Sequence, residues 1–131
     1  MTGRSQRDSG GLFDYLIEVD SEETLRRMTP DFALLAALPV RGVIVTSRSS
    51  DPRFDFVSRF FAPASGINED PVTGSAHCCL GDFWHKRLGK SQFAAYQASA
   101  RGGVVRLRVG DERVHLEGRA VTVTRGELLA D

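Results

Sequence analysis

The chain has 131 residues, of which 41% are hydrophobic and 26% charged, a composition typical of one globular domain rather than of a disordered segment. Lysine plus arginine and aspartate plus glutamate each number 17. The formal net charge is therefore zero, which gives no electrostatic reason to expect nucleic acid or an anionic membrane as a partner. The longest apolar stretch, residues 32–40, is too short for a membrane span of roughly 20 residues.

The cysteines and the first residues bear on the cellular compartment. Cys78 and Cys79 are the two cysteines and are adjacent; neighbouring cysteines rarely pair, so a disulfide framework is excluded. Residues 1–11 are polar and lack the apolar core of a signal peptide. We therefore expect a cytoplasmic protein.

The first half of the chain predicts alternating strands and short helices. Residues 1–11 predict a mobile tail or linker, and residues 12–131 the domain itself. Apolar runs and alternation predict strands at residues 12–19, 40–47 and 54–61. Two short helices are expected between the first two strands, one over residues 20–27 with a loose capping box from Asp20 to Glu23. The other starts at Thr29, with Pro30 in the first helical position, runs through Leu38 and stops near Pro39.

The second half predicts one long helix and a series of short strands. A loop over residues 63–73 leads to a helix at Gly74–Leu88, which Gly89 ends. Strands are expected at residues 93–98, 104–109, 114–117 and 120–124, separated by glycine-containing turns. This order predicts an α+β fold, with one prominent helix inserted in a mostly antiparallel sheet.

The start of the long helix carries small and acidic side chains: Glu69, Asp70, Thr73, Gly74, Ser75 and Ala76. The first turn of a helix has unpaired N–H groups and a partial positive charge, and small side chains leave both open to a carboxylate or phosphate. Hydroxyl groups can add donors, and carboxyl groups can move protons. A structural interpretation explains the same residues: Asp70 or Thr73 caps the helix, with Pro71 in the first helical position.

Two other chemistries fit less well. Cys78, Asp82 and His85 share one helical face, but structural zinc sites usually draw their ligands from two elements, so no metal is expected. His77 follows Ser75 by two residues, which turns the two side chains about 200° apart on a helix. The segment also lacks the second glycine of a nucleophile elbow. A serine hydrolase is therefore disfavoured.

A longer pattern surrounds the helix start. The run Asn68-Glu69-Asp70-Pro71-Val72-Thr73-Gly74-Ser75-Ala76-His77 resembles the signature of the phenazine-biosynthesis PhzF-like isomerases. Arg59-Phe60-Phe61-Ala62-Pro63 and Pro39-Val40-Arg41-Gly42-Val43-Ile44-Val45-Thr46 match the same family. The resemblance covers nearly the whole chain from Leu12 onward and corresponds to the C-terminal half of family members. It implies a fold similar to half of diaminopimelate epimerase: a curled, mostly antiparallel sheet, or half-barrel, around a central helix.

The resemblance also implies a function. The family's chemistry is cofactor-free proton transfer on a small carboxylic acid, with Asp70 and Ser75 matching active-site residues. Asp70 would polarise or relay a proton, and Ser75 would hydrogen-bond the substrate. The candidate substrate-binding residues are Thr73, Gly74, Ala76, Glu69 and His77.

The principal acid–base glutamate of the family belongs to the N-terminal half, and the sequence shows no counterpart. We therefore expect a domain that is incomplete by itself and acts as a homodimer or with a partner chain that carries the N-terminal half. Two alternatives stay open. One is a non-catalytic binding or assembly module of the same fold, and the other is one subunit of a split enzyme.

Overall fold

The computed structural model describes residues 2–7 and 13–130. Strands β1 to β7 span Thr2–Arg7, Phe13–Glu18, Gly42–Arg48, Phe56–Phe61, Gln92–Gln97, Gly103–Val109 and Val114–Glu117. Helices α1, α2 and α3 span Glu22–Arg27, Phe32–Ala36 and Gly74–Leu88, and a short 3₁₀ helix spans Pro63–Ser65. Within the described residues, no helix has the length and apolarity needed to cross a bilayer.

The seven strands form one sheet whose spatial order follows the chain order from β1 to β7. Four neighbouring pairs are antiparallel, whereas β2 with β3 and β4 with β5 are parallel. Parallel neighbours need a crossover connection, which α1 and α2 provide for the first pair and α3 for the second. The predicted α+β class, with a mostly antiparallel sheet, is confirmed.

Helix α3 lies against one face of the sheet, which curls around it without closing. Side chains of β2 to β6 pack on the helix in a single core: Leu16, Ile44, Phe56, Phe60, Phe93, Ala95, Val105, Leu107, with Ala76, Cys79, Leu80, Phe83 and Trp84 from the helix. Trp84 is fully buried, stacks on Phe56 at 5.6 Å between ring centroids, and donates from Nε1 to Thr46 Oγ1 at 3.1 Å. This core fixes where the helix begins relative to the strand ends.

Helices α1 and α2 cover the opposite face of the sheet. Leu25 of α1 packs there against alternate residues of β3 and β4, namely Val43, Val45, Val57 and Phe61. Because successive strand residues point to opposite faces, β3 and β4 supply both cores and are apolar along most of their length. The domain is thus three layers deep, with the sheet in the middle.

The ends of α3 agree with the prediction. The helix spans Gly74–Leu88, and Gly89 adopts a left-handed φ of 66° while its N–H donates to the carbonyl of His85 at 3.0 Å. Glycine adopts this conformation without steric cost, so it commonly ends helices. The last turn carries His85, Lys86 and Arg87, whose position suits the negative end of the helix dipole.

Both short helices begin later than the sequence predicted. The Ser21 hydroxyl caps α1 by accepting from the amide three residues on, at 3.1 Å, so the expected capping role of Asp20 is wrong. Asp31 caps α2 in the same way at 3.1 Å, so the expected start at Thr29 is also wrong. A cap must lie three residues before the amide that it satisfies, and the residues favoured by the sequence are too early for that geometry.

Two terminal segments also differ from the prediction. Thr2–Arg7, expected in a mobile tail, forms β1 and pairs antiparallel with β2; this strand has no apolar residue, so no alternation revealed it. The rest of the expected tail, residues 1 and 8–11, lies outside the described residues, and a domain boundary at residue 12 stays a prediction. Residues 120–124 form no strand, and Val121 and Val123 are 85% and 91% exposed. Their alternation is strand-like, but a strand needs a hydrogen-bonded neighbour.

Candidate functional site

The N-terminal end of α3 lies where several strand ends meet. The register pairs Val43 at the start of β3 with Phe61 at the end of β4, and Ser58 with Gln97 at the end of β5. The loop before α3 joins this edge through the Asp70 amide, which donates to the carbonyl of Phe60 at 3.0 Å. Residues from separate strands can therefore reach the same helix turn.

Gln97 holds the end of this loop from across the sheet. Its Oε1 accepts from the Thr73 amide at 2.8 Å, and its Nε2 donates to the Asp70 carbonyl at 2.8 Å and to Thr73 Oγ1 at 3.2 Å. The Gln97 side chain is fully buried. One amide group thus satisfies two backbone groups and one hydroxyl group, so it fixes the position of Asp70 and Thr73 relative to the sheet.

The hydroxyl group of Thr73 is directed to Asp70 and does not cap the helix. Thr73 occupies the N-cap position, but no side-chain oxygen accepts from the first turn; instead, Thr73 Oγ1 donates to Asp70 Oδ2 at 2.5 Å. Among the described residues, no hydrogen bond is made to Asp70 Oδ1, and none is made by the amides of Gly74, Ser75 and Ala76. The arrangement leaves a half-exposed carboxylate beside open N–H groups, and it argues against the capping interpretation.

Ser75 is exposed in the first turn of α3 and contacts a charged pair. Arg41 Nη2 donates to Ser75 Oγ at 2.9 Å, and Arg41 Nε donates to Asp14 Oδ1 at 3.1 Å. Arg41 comes immediately before β3, and Asp14 lies at the start of β2. The predicted Asp70, Thr73, Gly74 and Ser75 are thus brought together, with an ion pair on the side of the helix start away from Gln97.

The structure gives Glu69 a separate environment. Its carboxylate accepts from Arg59 Nε at 2.8 Å and from Arg59 Nη2 at 3.0 Å. Arg59 also donates to the carbonyls of Leu25 and Met28, at the end of α1. These partners lie on the face of the sheet opposite α3, so the Glu69 side chain is directed away from the open amides. Its role in substrate binding stays a prediction.

Ala76 and His77 are buried on the side of α3 that packs against the sheet, so neither side chain is accessible at the helix start. His77 Nδ1 lies 2.7 Å from the Thr73 carbonyl, which can only accept, so we assign the ring hydrogen to Nδ1. Its Nε2 is buried, and no described group hydrogen-bonds it. Burial lowers the pKa of His77, since a charged ring is poorly solvated there.

We expect the domain to lose stability as the pH falls below about 6.5, where an unfolded histidine takes up a proton and buried His77 does not. The lowered folded-state pKa sets the sign: the stabilisation is complete above the unfolded pKa and is lost below it. One proton changes the free energy of unfolding by at most about 1.4 kcal/mol per pH unit. Urea denaturation from pH 8 to pH 5 measures this slope.

The control for this measurement is a second histidine. His77→Gln should flatten the pH dependence, whereas His115→Gln, at an exposed position of β7, should leave it unchanged. An equal slope in wild type and His77→Gln would contradict the assignment.

The open side of Gly74 faces a groove of about 970 Å³. Its apolar wall includes Val72 and Leu116, and its charged residues are Arg53, Arg101, Arg106, Arg119 and Glu117. Four arginines against one glutamate make the groove electropositive, which favours an anionic ligand near the helix start.

The cysteines on α3 are held as thiols. Burial raises the pKa of Cys78, and burial, chiefly, raises the pKa of Cys79 to about 11. Within the described part of the chain, no group of three or more histidine, cysteine, aspartate or glutamate side chains is placed to hold a metal ion.

Sequence reasoning assigned no role to Gln97, Arg41 or Asp14. A signal existed for two of them, because Asp14 lies two residues before Leu16, and Gln97 two residues after Ala95, on strand positions that face the α3 core. A polar residue at an inward-facing position must find a buried partner. The partner itself could not be identified without the register of the sheet.

The structure is an α+β domain in which an open, curled sheet surrounds one helix, with acidic and hydroxyl groups at the helix start. The sequence profile of the PhzC-PhzF family, described as phenazine biosynthesis-like protein, matches residues 4–126. The chain belongs to this family, as its motifs indicated.

Comparison with individual proteins agrees with this assignment. An uncharacterized isomerase of Halalkalibacterium halodurans is 57% identical over 117 residues, which are 89% of this chain and 44% of that protein. One from Pseudomonas aeruginosa is 55% identical over 113 residues, covering 86% of this chain and 42% of that protein. The chain therefore spans less than half the length of these curated relatives.

Solved structures show the same fold. A phenazine biosynthesis PhzC/PhzF protein from Clostridium difficile has a TM-score of 0.79 and 31% identity, covering 99% of this chain and 55% of that one. A PhzF-family protein from Enterococcus faecalis has a TM-score of 0.75 and 41% identity, covering 90% of this chain and 44% of that one.

Proposed function

We propose that the chain is a domain of a PhzF-like isomerase that binds the carboxylate of a small substrate at the start of α3. The observation that carries the proposal is the direction of the Thr73 hydroxyl group. It donates to Asp70 and leaves the amides of Gly74, Ser75 and Ala76 without a described acceptor. Open amides at the positive end of a helix dipole favour an anion, and the arginines of the adjoining groove add to that preference.

The chemistry that we propose is proton transfer without a cofactor. Asp70 has one carboxylate oxygen held by Thr73, and its second oxygen has no described partner, so it can polarise a substrate group or relay a proton. Ser75 hydrogen-bonds the substrate. The reacting carbon lies next to a carboxylate in this scheme, because the helix start holds that group within reach of Asp70.

We propose further that the reaction needs residues from outside this chain, acting in the cytoplasm as a homodimer or with a chain that carries the N-terminal half. The resemblance assigns the main acid–base glutamate to that half, and the relatives are more than twice as long as the matched region. Val121, Val123, Leu128 and Leu129 are 85–100% exposed, and a second chain can cover such apolar side chains.

Titration of the ¹⁵N-labelled chain with benzoate and with sulfate tests the binding site. We expect the largest amide shifts at Gly74, Ser75 and Ala76. Ser75→Ala should weaken benzoate binding about tenfold, the effect of losing a hydrogen bond to a charged group. Ser50→Ala, an exposed serine that contacts Glu22, is the control and should leave binding unchanged. Absence of shifts near Gly74 at saturating benzoate would contradict the site.

A further inference from the structure

We propose that Asp14 and Arg41 are positioning residues: they fix Ser75 as a hydrogen-bond donor, so the start of α3 selects an acceptor such as a carboxylate oxygen. The inference rests on the proposed function for the identity of the ligand. The orientation of Ser75 itself depends only on groups of this chain. The two parts can therefore be tested separately.

The ion pair is held firmly on both sides. The register places Asp14 beside Gly42, the residue after Arg41, and the Arg41 amide donates to the Phe13 carbonyl at 2.8 Å. The Asp14 side chain is 4% exposed and accepts from both Nε and Nη2 of Arg41. The guanidinium group lies 5.6 Å from the centre of the Phe60 ring. A guanidinium group that donates two hydrogen bonds to one buried carboxylate has little freedom to rotate.

The direction of the Arg41–Ser75 hydrogen bond follows from the donor inventory. A guanidinium group only donates, so Ser75 Oγ must accept from Arg41 Nη2 at 2.9 Å. The single hydrogen of the Ser75 hydroxyl group is then directed to another group. This hydrogen favours an oxygen acceptor and disfavours an ammonium group, which carries only donors, at the same place.

The same helix and strand offer a matched control at their other ends. Arg87, in the last turn of α3, pairs with Glu18 at the end of β2. This pair also joins α3 to β2 through an arginine and a carboxylate, but it lies away from the helix start. Arg87→Met therefore removes a comparable ion pair and leaves Ser75 in place.

The rotamer of Ser75 gives a test that needs no ligand. Hα–Hβ couplings of Ser75 should show one staggered rotamer in wild type and in Arg87→Met, and averaged rotamers in Arg41→Met. Because Arg41→Met leaves buried Asp14 unpaired, the double variant Asp14→Asn/Arg41→Met provides a folded alternative with the same expected averaging. Averaged couplings in wild type, or a single rotamer in both Arg41 variants, would overturn the positioning role.

A double-mutant cycle with benzoate then tests the selection of the ligand. Arg41→Met and Ser75→Ala should each weaken binding about tenfold, and the combination should be far less than a hundredfold weaker. Arg41→Lys should recover little, since an ammonium group cannot hold Asp14 and Ser75 in the same fork geometry. Benzylammonium, the cationic counterpart of the probe, should cause no shifts at Gly74. Additive losses, or binding of benzylammonium, would overturn the coupling.

The experiments distinguish an error in the proposed function from an error in the positioning role. A wild-type chain with a single Ser75 rotamer that binds no benzoate would overturn the selection of a carboxylate together with the proposed binding site. The rotamer change in the Arg41 variants would still establish that Arg41 positions Ser75.

Discussion

Gln97→Leu should destabilise the domain by about 3–5 kcal/mol and abolish benzoate binding at the start of α3. The Gln97 amide group makes three hydrogen bonds to Asp70 and Thr73, two of them buried and the one to the Asp70 carbonyl partly buried. Leucine has a similar volume but leaves the Thr73 amide and the Asp70 carbonyl without partners, at about 1–3 kcal/mol for each. The loop that fixes Asp70 then has no anchor on β5. Urea denaturation and the benzoate titration measure the two effects.

Two further variants distinguish the loss of the Gln97 hydrogen bonds from general effects of a substitution in β5. Gln97→Glu keeps an acceptor for the Thr73 amide but places an ionisable carboxyl group at a fully buried position opposite the Asp70 carbonyl, so a loss at neutral pH at least as large as that of Gln97→Leu is expected. Gln92→Leu, at the exposed start of the same strand, should change stability by no more than about 0.5 kcal/mol. If Gln97→Leu were as stable as Gln92→Leu, the Gln97 hydrogen bonds would contribute nothing to the free energy of unfolding.

The 131-residue chain on its own should exchange no deuterium into small cyclic unsaturated carboxylic acids. In the proposed scheme the group that removes and returns the proton lies outside this chain. Asp70 is the one site carboxylate with an oxygen that no described group binds. A correctly placed second acid–base group contributes about 10²- to 10⁴-fold. Adding the part of the Halalkalibacterium halodurans relative that this chain does not match should therefore restore exchange, as measured by proton NMR in D₂O.

The complex provides its own control. Asp70→Asn should remove the restored exchange, whereas Asp82→Asn, an acid on the outer side of α3 that pairs with Lys86, should not.

Sedimentation should show self-association of the chain at tens of micromolar, because the exposed apolar side chains favour a symmetric partner. Exchange by a clean monomer that depends on Asp70 would contradict both expectations.

Local signals predicted much of the fold. Helix α3 and strand β7 begin and end as expected, because a glycine stop and short apolar alternation are contained in the segments themselves. The caps Ser21 and Asp31 were misplaced by one and two residues, since several adjacent residues were chemically suitable. Strand β1 contains no apolar residue, and its pairing depends on the free edge of β2 rather than on its own sequence.

The residues of the candidate site also fall into two groups: those that a local motif predicts and those that only the structure reveals. Asp70, Thr73, Gly74 and Ser75 are contiguous enough for a motif to bring them together. Arg41 contacts Ser75 across 34 positions, and Gln97 contacts Thr73 across 24, so only the sheet register reveals them. Glu69 shows that neighbours in sequence need not belong to the same site. It adjoins Asp70, yet its ion pair with Arg59 directs it to the other face of the sheet.

The agreement between spatial and chain order of the strands has a consequence for synthesis on the ribosome. Every strand after the first pairs with the strand made just before it. A nascent chain therefore always has a partner ready for the next strand, and no long segment must wait for a distant one. All hydrogen bonds of the Asp14–Arg41–Ser75 and Gln97–Thr73 groups join residues within the first 97 positions. These hydrogen bonds can thus form before β6 and β7 have been made, whereas the groove beside Gly74 is completed only when Arg106 and Leu116 arrive with those two strands.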